Sequence, residues 1–309
     1  MNPKPDPSEF SQPGFAQPDF AQLGRPDDFR PIVGLSQLAD RYDAVFCDIW
    51  GVVHNGRRPF DDAVEALKRY RSEVGPVVLM SNSPRPSRAI PEQFVQVGID
   101  TVGDGGVFYD AIVTSGDATV DELSRRAPGP AFKIGPERDD PLYEGLEMHF
   151  SDMEDATFIA CTGLFEQTPD EAPDDYRALL QEGVDNGLPM VCANPDVTVK
   201  VDGQTIWCGG ALAELYAELG GKVVFAGKPH PPIYRLARAW LDEVSGHVPA
   251  PERILMIGDN IFTDLVGAER EGLGTLYIQD GLHGRDSELA AVLQRHGIRA
   301  DYIAPALVW

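Results

Sequence analysis

Positive charge is scarce in this 309-residue chain: 26 Lys and Arg stand against 49 Asp and Glu, a formal net charge of -23. A field of that sign repels nucleic acid and anionic membrane surfaces, so neither is expected as a partner. Cysteine is scarce too. Cys47, Cys161, Cys192 and Cys208 lie inside apolar strand-like runs without CxxC spacing, which reads as inert buried thiols rather than a metal or redox motif. No run approaches the roughly 18 apolar residues of a membrane span, and the N-terminus lacks the apolar core of a signal peptide. A cytoplasmic protein is expected. What is present, 43% hydrophobic and 24% charged residues, is ordinary for a globular chain long enough for two domains.

The first 30 residues hold six prolines and a loose echo, Phe10-Ser-Gln-Pro-Gly, Phe15-Ala-Gln-Pro-Asp and Phe20-Ala-Gln-Leu-Gly. Proline density without apolar periodicity predicts a disordered tail over 1–30. From Pro31 onward strand-like and helix-like segments alternate, beginning with a short helix before Tyr42. Helices are expected over Asp61–Glu73, Pro91–Val97, Asp140–Glu147 and Asp174–Val184, with another starting at Ser115. Strands are expected at Ala111–Thr114, Phe132–Ile134, Thr157–Cys161 and Met190–Ala193. Val197–Val201 and Gln204–Cys208 flank Asp202-Gly203, a strong signal for a two-residue hairpin.

Four further apolar runs stop abruptly on groups suited to a phosphate or a metal. Ala44-Val-Phe-Cys47 meets Asp48, and Val77-Val-Leu-Met80 meets Ser81-Asn82-Ser83. Val223-Val-Phe-Ala226 meets Gly227-Lys228, and Ile254-Leu-Met-Ile257 meets Gly258-Asp259-Asn260. Such runs suit strands buried on both faces of a parallel α/β sheet, where ligands bind beyond the carboxyl ends. The long interval between Ser81 and Lys228 reads as an inserted α/β unit. The expected boundaries are a core over 31–116, an inserted domain over 117–208 and a second core segment over 209–309, with Gly116 and Gly209-Gly210 as hinges.

The strand-end groups define a chemistry. Asp48 is a candidate carboxylate nucleophile forming an aspartyl phosphate. Asp259 can share a magnesium ion with it, since Mg2+ favours few carboxylates, several waters and a substrate phosphate. Lys228 neutralises the remaining charge, while Ser81, Asn82 and Ser83 offer donors to phosphate oxygens.

Taken together these motifs resemble the haloacid dehalogenase-like hydrolase superfamily, and their layout resembles its subfamily IIA, the NagD-type phosphatases. The resemblance is carried by Asp48-Ile-Trp-Gly-Val-Val-His-Asn-Gly, Leu79-Met-Ser-Asn-Ser-Pro, Thr114-Ser-Gly-Asp-Ala-Thr, Asn194-Pro-Asp, Gly227-Lys-Pro-His-Pro-Pro-Ile-Tyr and Gly258-Asp-Asn-Ile-Phe-Thr-Asp. It implies a Rossmann-like core with an inserted α/β cap and magnesium-dependent hydrolysis of a small phosphorylated substrate. It further implies that Asp48 is the nucleophile, Lys228 the charge clamp and Asp259 a metal ligand, supported by Asn260 and Asp264. Asn194 and Asp196 are implied to face the substrate from the cap, and caps of this kind can form homodimers.

One position departs from the family pattern. A second aspartate, the general acid and base, normally stands two residues after the nucleophile, and here that residue is Trp50. Its backbone carbonyl can still coordinate magnesium, but an indole only donates and does not exchange protons with a substrate. Slow turnover, or turnover limited to good leaving groups, follows. Two other readings remain open: a non-catalytic phosphate-binding protein, and a hydrolase acting on a centre other than a phosphomonoester. His54, six residues past Asp48, is a further candidate acid or base.

Overall fold

The computed structural model describes residues 29–100, 107–201, 204–279 and 289–309; the predicted tail, apart from its last two residues, and the Asp202-Gly203 turn lie outside them. Strands β1 (Arg30–Pro31), β2 (Ala44–Asp48), β3 (Val77–Ser81) and β4 (Ala111–Thr114) come first, with helices α1 (Asp61–Glu73), α2 (Ile90–Gln96) and α3 (Ser115–Ser124). Then follow β5 (Ala131–Ile134), β6 (Phe158–Cys161), α4 (Arg177–Asp185), β7 (Pro189–Cys192), β8 (Thr198–Val201), β9 (Gln204–Trp207), α5 (Gly209–Glu218) and β10 (Lys222–Phe225). The chain closes with α6 (Pro231–Ser245), β11 (Ile254–Gly258), α7 (Val266–Arg270), β12 (Gly274–Ile278), α8 (Leu289–His296) and β13 (Tyr302–Ala304). Glu122–Phe225 is one compact unit; the described residues before and after it form another. Among the described residues no helix is long and apolar enough to cross a membrane.

The larger unit is built on seven parallel strands in the order β1-β13-β12-β11-β2-β3-β4. The expected parallel α/β fold is therefore present, and the apolar runs explain it. Alternate residues of a strand point to opposite faces. Val45 and Cys47 of β2 pack with Leu67 and Tyr70 of α1 and with Phe94 of α2, while Ala44 and Phe46 pack with Ile233, Tyr234 and Ala237 of α6. With helices on both faces, every residue of β2 is buried, so no polar alternation survives in its sequence. Helix α1 opens on Asp61 and Asp62, which suit its positive N-terminus, and the Tyr70 hydroxyl at its other end donates to the Tyr42 carbonyl at 2.8 Å.

The smaller unit has a four-stranded parallel sheet, β10-β7-β6-β5, and an antiparallel pair, β8-β9. Its membership corrects the sequence reading. Val223-Val-Phe belongs to β10, whose partner is β7 in this second sheet, so only three of the four motif-bearing strands lie in the seven-stranded sheet. The two places beside β2 are filled by β11 and β3. The stretch 209–225, expected in the core, packs in the smaller unit instead. Nor do Gly209 and Gly210 form a hinge: they open α5, and a Cβ on Gly210 would sit 2.2 Å from the Pro195 carbonyl oxygen. The expected helix at Asp140–Glu147 is a short 3-10 segment, Glu137–Tyr143. Pro141 removes a helical hydrogen bond there, and Gly145 (φ +80) turns the chain away.

Candidate active site

Three strand ends of the large sheet and the segment after β10 assemble one buried cluster. Asp48 ends β2, and its register partner is Met80, next to Ser81 on β3. Asp259 follows β11 directly. The Lys228 ammonium donates to Asp48 Oδ1 and to Asp264 Oδ1, each at 2.6 Å, with a longer 3.5 Å contact to the Met80 carbonyl. Its three hydrogens thus face three acceptors, and only 2% of the residue is exposed. Burial works against that ammonium, but Asp264 and Asp48 outweigh it and hold its pKa well above the ordinary lysine value. For Asp48, burial pushes the carboxyl well above the usual range; Lys228 opposes this, and Asp264 and Asp259 reinforce it.

Carboxylate oxygens of Asp48, Asp259 and Asp264 lie within 4.8 Å of one another, all from buried residues. One ammonium cannot balance three carboxylates. A divalent cation fits such a site, since it prefers oxygen donors and supplies the missing charge. The backbone leaves room for the cluster. Gly51 (φ +94) lies so close to Asp259 that a Cβ would fall 2.2 Å from Oδ2, and a Cβ on Gly258 would fall 2.2 Å from Asp264 Cγ.

The turn after β11 is closed by its own side chains. Asn260 Oδ1 accepts from the Phe262 amide at 2.9 Å, and Asp264 Oδ2 accepts from the Asn260 amide at 3.1 Å. Asp264 is therefore a direct partner of Lys228 as well as a support for the turn. Asn82 is tied to the lysine as well. Its side-chain amide donates to the Lys228 carbonyl (3.0 Å) and accepts from the Lys228 amide (2.8 Å). It holds the lysine backbone in place. Asn82→Ala is expected to cost about 1–3 kcal/mol of stability, the usual range for abandoned buried partners, and to lower turnover. Chemical denaturation and steady-state kinetics check this; an unchanged midpoint would remove the clamp from the account. Ser81 Oγ accepts from the Ser83 amide at 3.1 Å, and Ser83 Oγ from the Arg85 amide at 3.2 Å, so the loop beyond β3 is folded on its own hydroxyls.

Trp50 occupies the loop next to Asp48. Its indole sits edge-to-face on His54 with ring centroids 5.3 Å apart, and it covers Gly56, where a Cβ would fall 2.4 Å from the ring. His54 stacks onward against Phe94 of α2. His54 Nδ1 accepts from the Gly56 amide at 3.0 Å, which places the imidazole proton on Nε2. Trp50 Nε1 and His54 Nε2 are both buried without a hydrogen-bond partner among the described residues.

Residues 45–148 match the family model for haloacid dehalogenase-like hydrolases, and residues 225–308 match a second HAD-hydrolase-like model. A solved haloacid dehalogenase-like hydrolase from Brucella suis 1330 is 41% identical, with a TM-score of 0.81 over 90% of this chain and 100% of its own. The chain belongs to the haloacid dehalogenase-like hydrolase family. Among its relatives, the ribonucleotide monophosphatase NagD of Escherichia coli is 27% identical over 245 residues, 78% of this chain and 89% of that protein. An acid sugar phosphatase of Staphylococcus aureus is 26% identical over 247 residues, 78% of this chain and 88% of its own.

In this HAD-like hydrolase Asn194 and Asp196 lie just beyond β7 of the smaller unit. Asn194 Oδ1 accepts from the Asp196 amide at 3.2 Å, and the Asp196 carbonyl accepts from the Gly210 amide at 3.0 Å. His54 is poorly suited to act as a proton carrier. Burial pushes its pKa down to about 4, so it stays neutral across the ordinary working range. His54→Gln is expected to leave the pH–rate profile between about pH 5.5 and pH 8 unchanged. A lost or displaced limb in that interval would reinstate the imidazole as the proton carrier.

Proposed function

We propose that the protein is a magnesium-dependent phosphatase of small phosphorylated metabolites, acting through an aspartyl phosphate on Asp48 and favouring substrates with good leaving groups. The observation that carries this reading is the buried Asp48–Lys228–Asp264 network with Asp259 beside it. Lys228 orients Asp48 through Oδ1, which leaves Oδ2 outside that pair for attack on phosphorus. The same ammonium offsets the repulsion between the carboxylate and the incoming dianion. Asp48, Asp259 and the Trp50 carbonyl would hold magnesium, which supplies Lewis-acid charge on the phosphoryl oxygens when bound. Ser81, Ser83 and backbone amides of their loop donate to phosphate oxygens, and Asn82 keeps Lys228 in register with them. Glu122–Phe225 acts as the inserted cap, with Asn194 and Asp196 contributing substrate selectivity.

Trp50 sets the leaving-group preference. Without an acid two residues after the nucleophile, a departing alkoxide is not protonated, whereas a nitrophenolate or a carboxylate leaves unaided. The direct test is a panel of alkyl, aryl and acyl phosphates with and without magnesium. Phosphate release that needs the metal and disappears in Asp48→Asn is the expected result. Tight phosphate binding with no release from any member would point instead to a non-catalytic ligand-binding protein.

A further inference from the structure

We infer that Asp48, once phosphorylated by an acyl phosphate, persists as a long-lived phosphoaspartate, so that the protein accumulates as a covalent phosphoryl acceptor rather than clearing each phosphoryl group at once. The inference rests on the phosphatase reading above and deepens it. Its basis is the polar inventory around the nucleophile in the larger unit. Formation of the intermediate needs no proton. Asp48 Oδ2 bonds to phosphorus as the bond from phosphorus to the acyl oxygen breaks, and the electron pair leaves on a carboxylate. Breakdown differs, because the attacking water must give up a proton as its oxygen bonds to phosphorus and Asp48 departs.

No group described beside Asp48 is placed to take that proton. Trp50 offers an N–H only, and its Nε1 is buried without a partner. The one imidazole lone pair of His54 is occupied by the Gly56 amide, so its buried Nε2 is a second N–H donor. Lys228 is a cation held by two carboxylates. Both oxygens of Asp264 are engaged, Oδ1 by Lys228 and Oδ2 by the Asn260 amide. Asp259 is the metal ligand in this reading. The loop that follows the nucleophile therefore offers two N–H donors and no base to activate water.

The experiment incubates the full chain with acetyl phosphate and magnesium, then follows covalent phosphate by intact-protein mass after the donor is removed. Near-stoichiometric labelling is expected, absent in Asp48→Asn and decaying slowly. Trp50→Asp should shorten the label's lifetime by about 10²-fold or more, the usual contribution of a positioned base. Trp50→Phe removes the indole N–H without adding a base and keeps the label; it serves if the aspartate variant does not fold. Rapid phosphate release from the unaltered protein with no standing label would overturn the inference and leave the phosphatase reading intact. Neither label nor release, with any donor, would overturn both.

Discussion

Lys228→Met is expected to destabilise the protein by about 3–5 kcal/mol, the range for removing one partner from a buried ion pair, and to abolish turnover. The substitution keeps most of the side-chain volume but leaves the Asp48 and Asp264 carboxylates facing each other without an ammonium between them. The loss should depend on pH in a definite direction. Burial already raises the Asp48 pKa, and Lys228 is the one charge that opposes the rise. In the variant the native state therefore binds more protons than the unfolded chain. Stability then falls as pH climbs from the unfolded aspartate pKa of about 4 toward the higher native value. Urea denaturation at about pH 5 and pH 7 reads the difference, with the smaller penalty expected at the acidic end. Equal penalties at both would mean that Asp48 is not left charged and uncompensated.

Trp50→Asp is expected to raise the rate at which alkyl phosphates phosphorylate Asp48 by about 10²–10⁴-fold, the customary value of general acid–base help, while aryl and acyl phosphates gain little in that step and benefit only from faster breakdown of the phosphoaspartate. The contrast matters more than either figure. An aspartate here would protonate a poor leaving group, whereas a nitrophenolate or carboxylate has no use for the proton. Because the indole covers Gly56 and abuts His54, the variant also loses packing. Trp50→Leu controls for that loss and should show no gain on alkyl phosphates. A uniform gain across all leaving groups in that first step of the aspartate variant would shift the explanation from proton transfer to simple access.

Much of the site was legible because buried parallel strands write their positions plainly. Ala44–Cys47 and Ile254–Ile257 are apolar on both faces, so the first polar group after each marks the sheet's carboxyl edge, and Asp48 and Asp259 stand at those marks. The partners of β10 were not legible. A four-residue apolar run says strand but not which sheet, and its half-buried pattern, which distinguishes an edge strand from a central one, exists only after pairing. The contact of Asn82 with Lys228 was not legible for a related reason. A side-chain amide near a phosphate motif looks like a ligand, and nothing in the local sequence says that it also bonds backbone atoms of a residue 146 positions away. The direct bond from Asp264 to Lys228 was hidden as well, since the Gly-Asp-(four residues)-Asp spacing fixes a turn without saying what the last carboxylate faces.

Strand β11 lies between β2 and β12, so the place beside the strand that carries Asp48 is taken by residues made late in synthesis. A nascent chain exposes the unpaired edge of β2 until Ile254–Gly258 has emerged, and long-range parallel pairing is slow to form. Exposed edges recruit other chains. A product truncated before Ile254 would lack the strand that seals β2 and also the carboxylates of Asp259 and Asp264. Such a fragment would be sticky and inert rather than partly active, which makes translation through β11 and the turn after it the step at which the sheet edge is sealed and the carboxylate cluster completed.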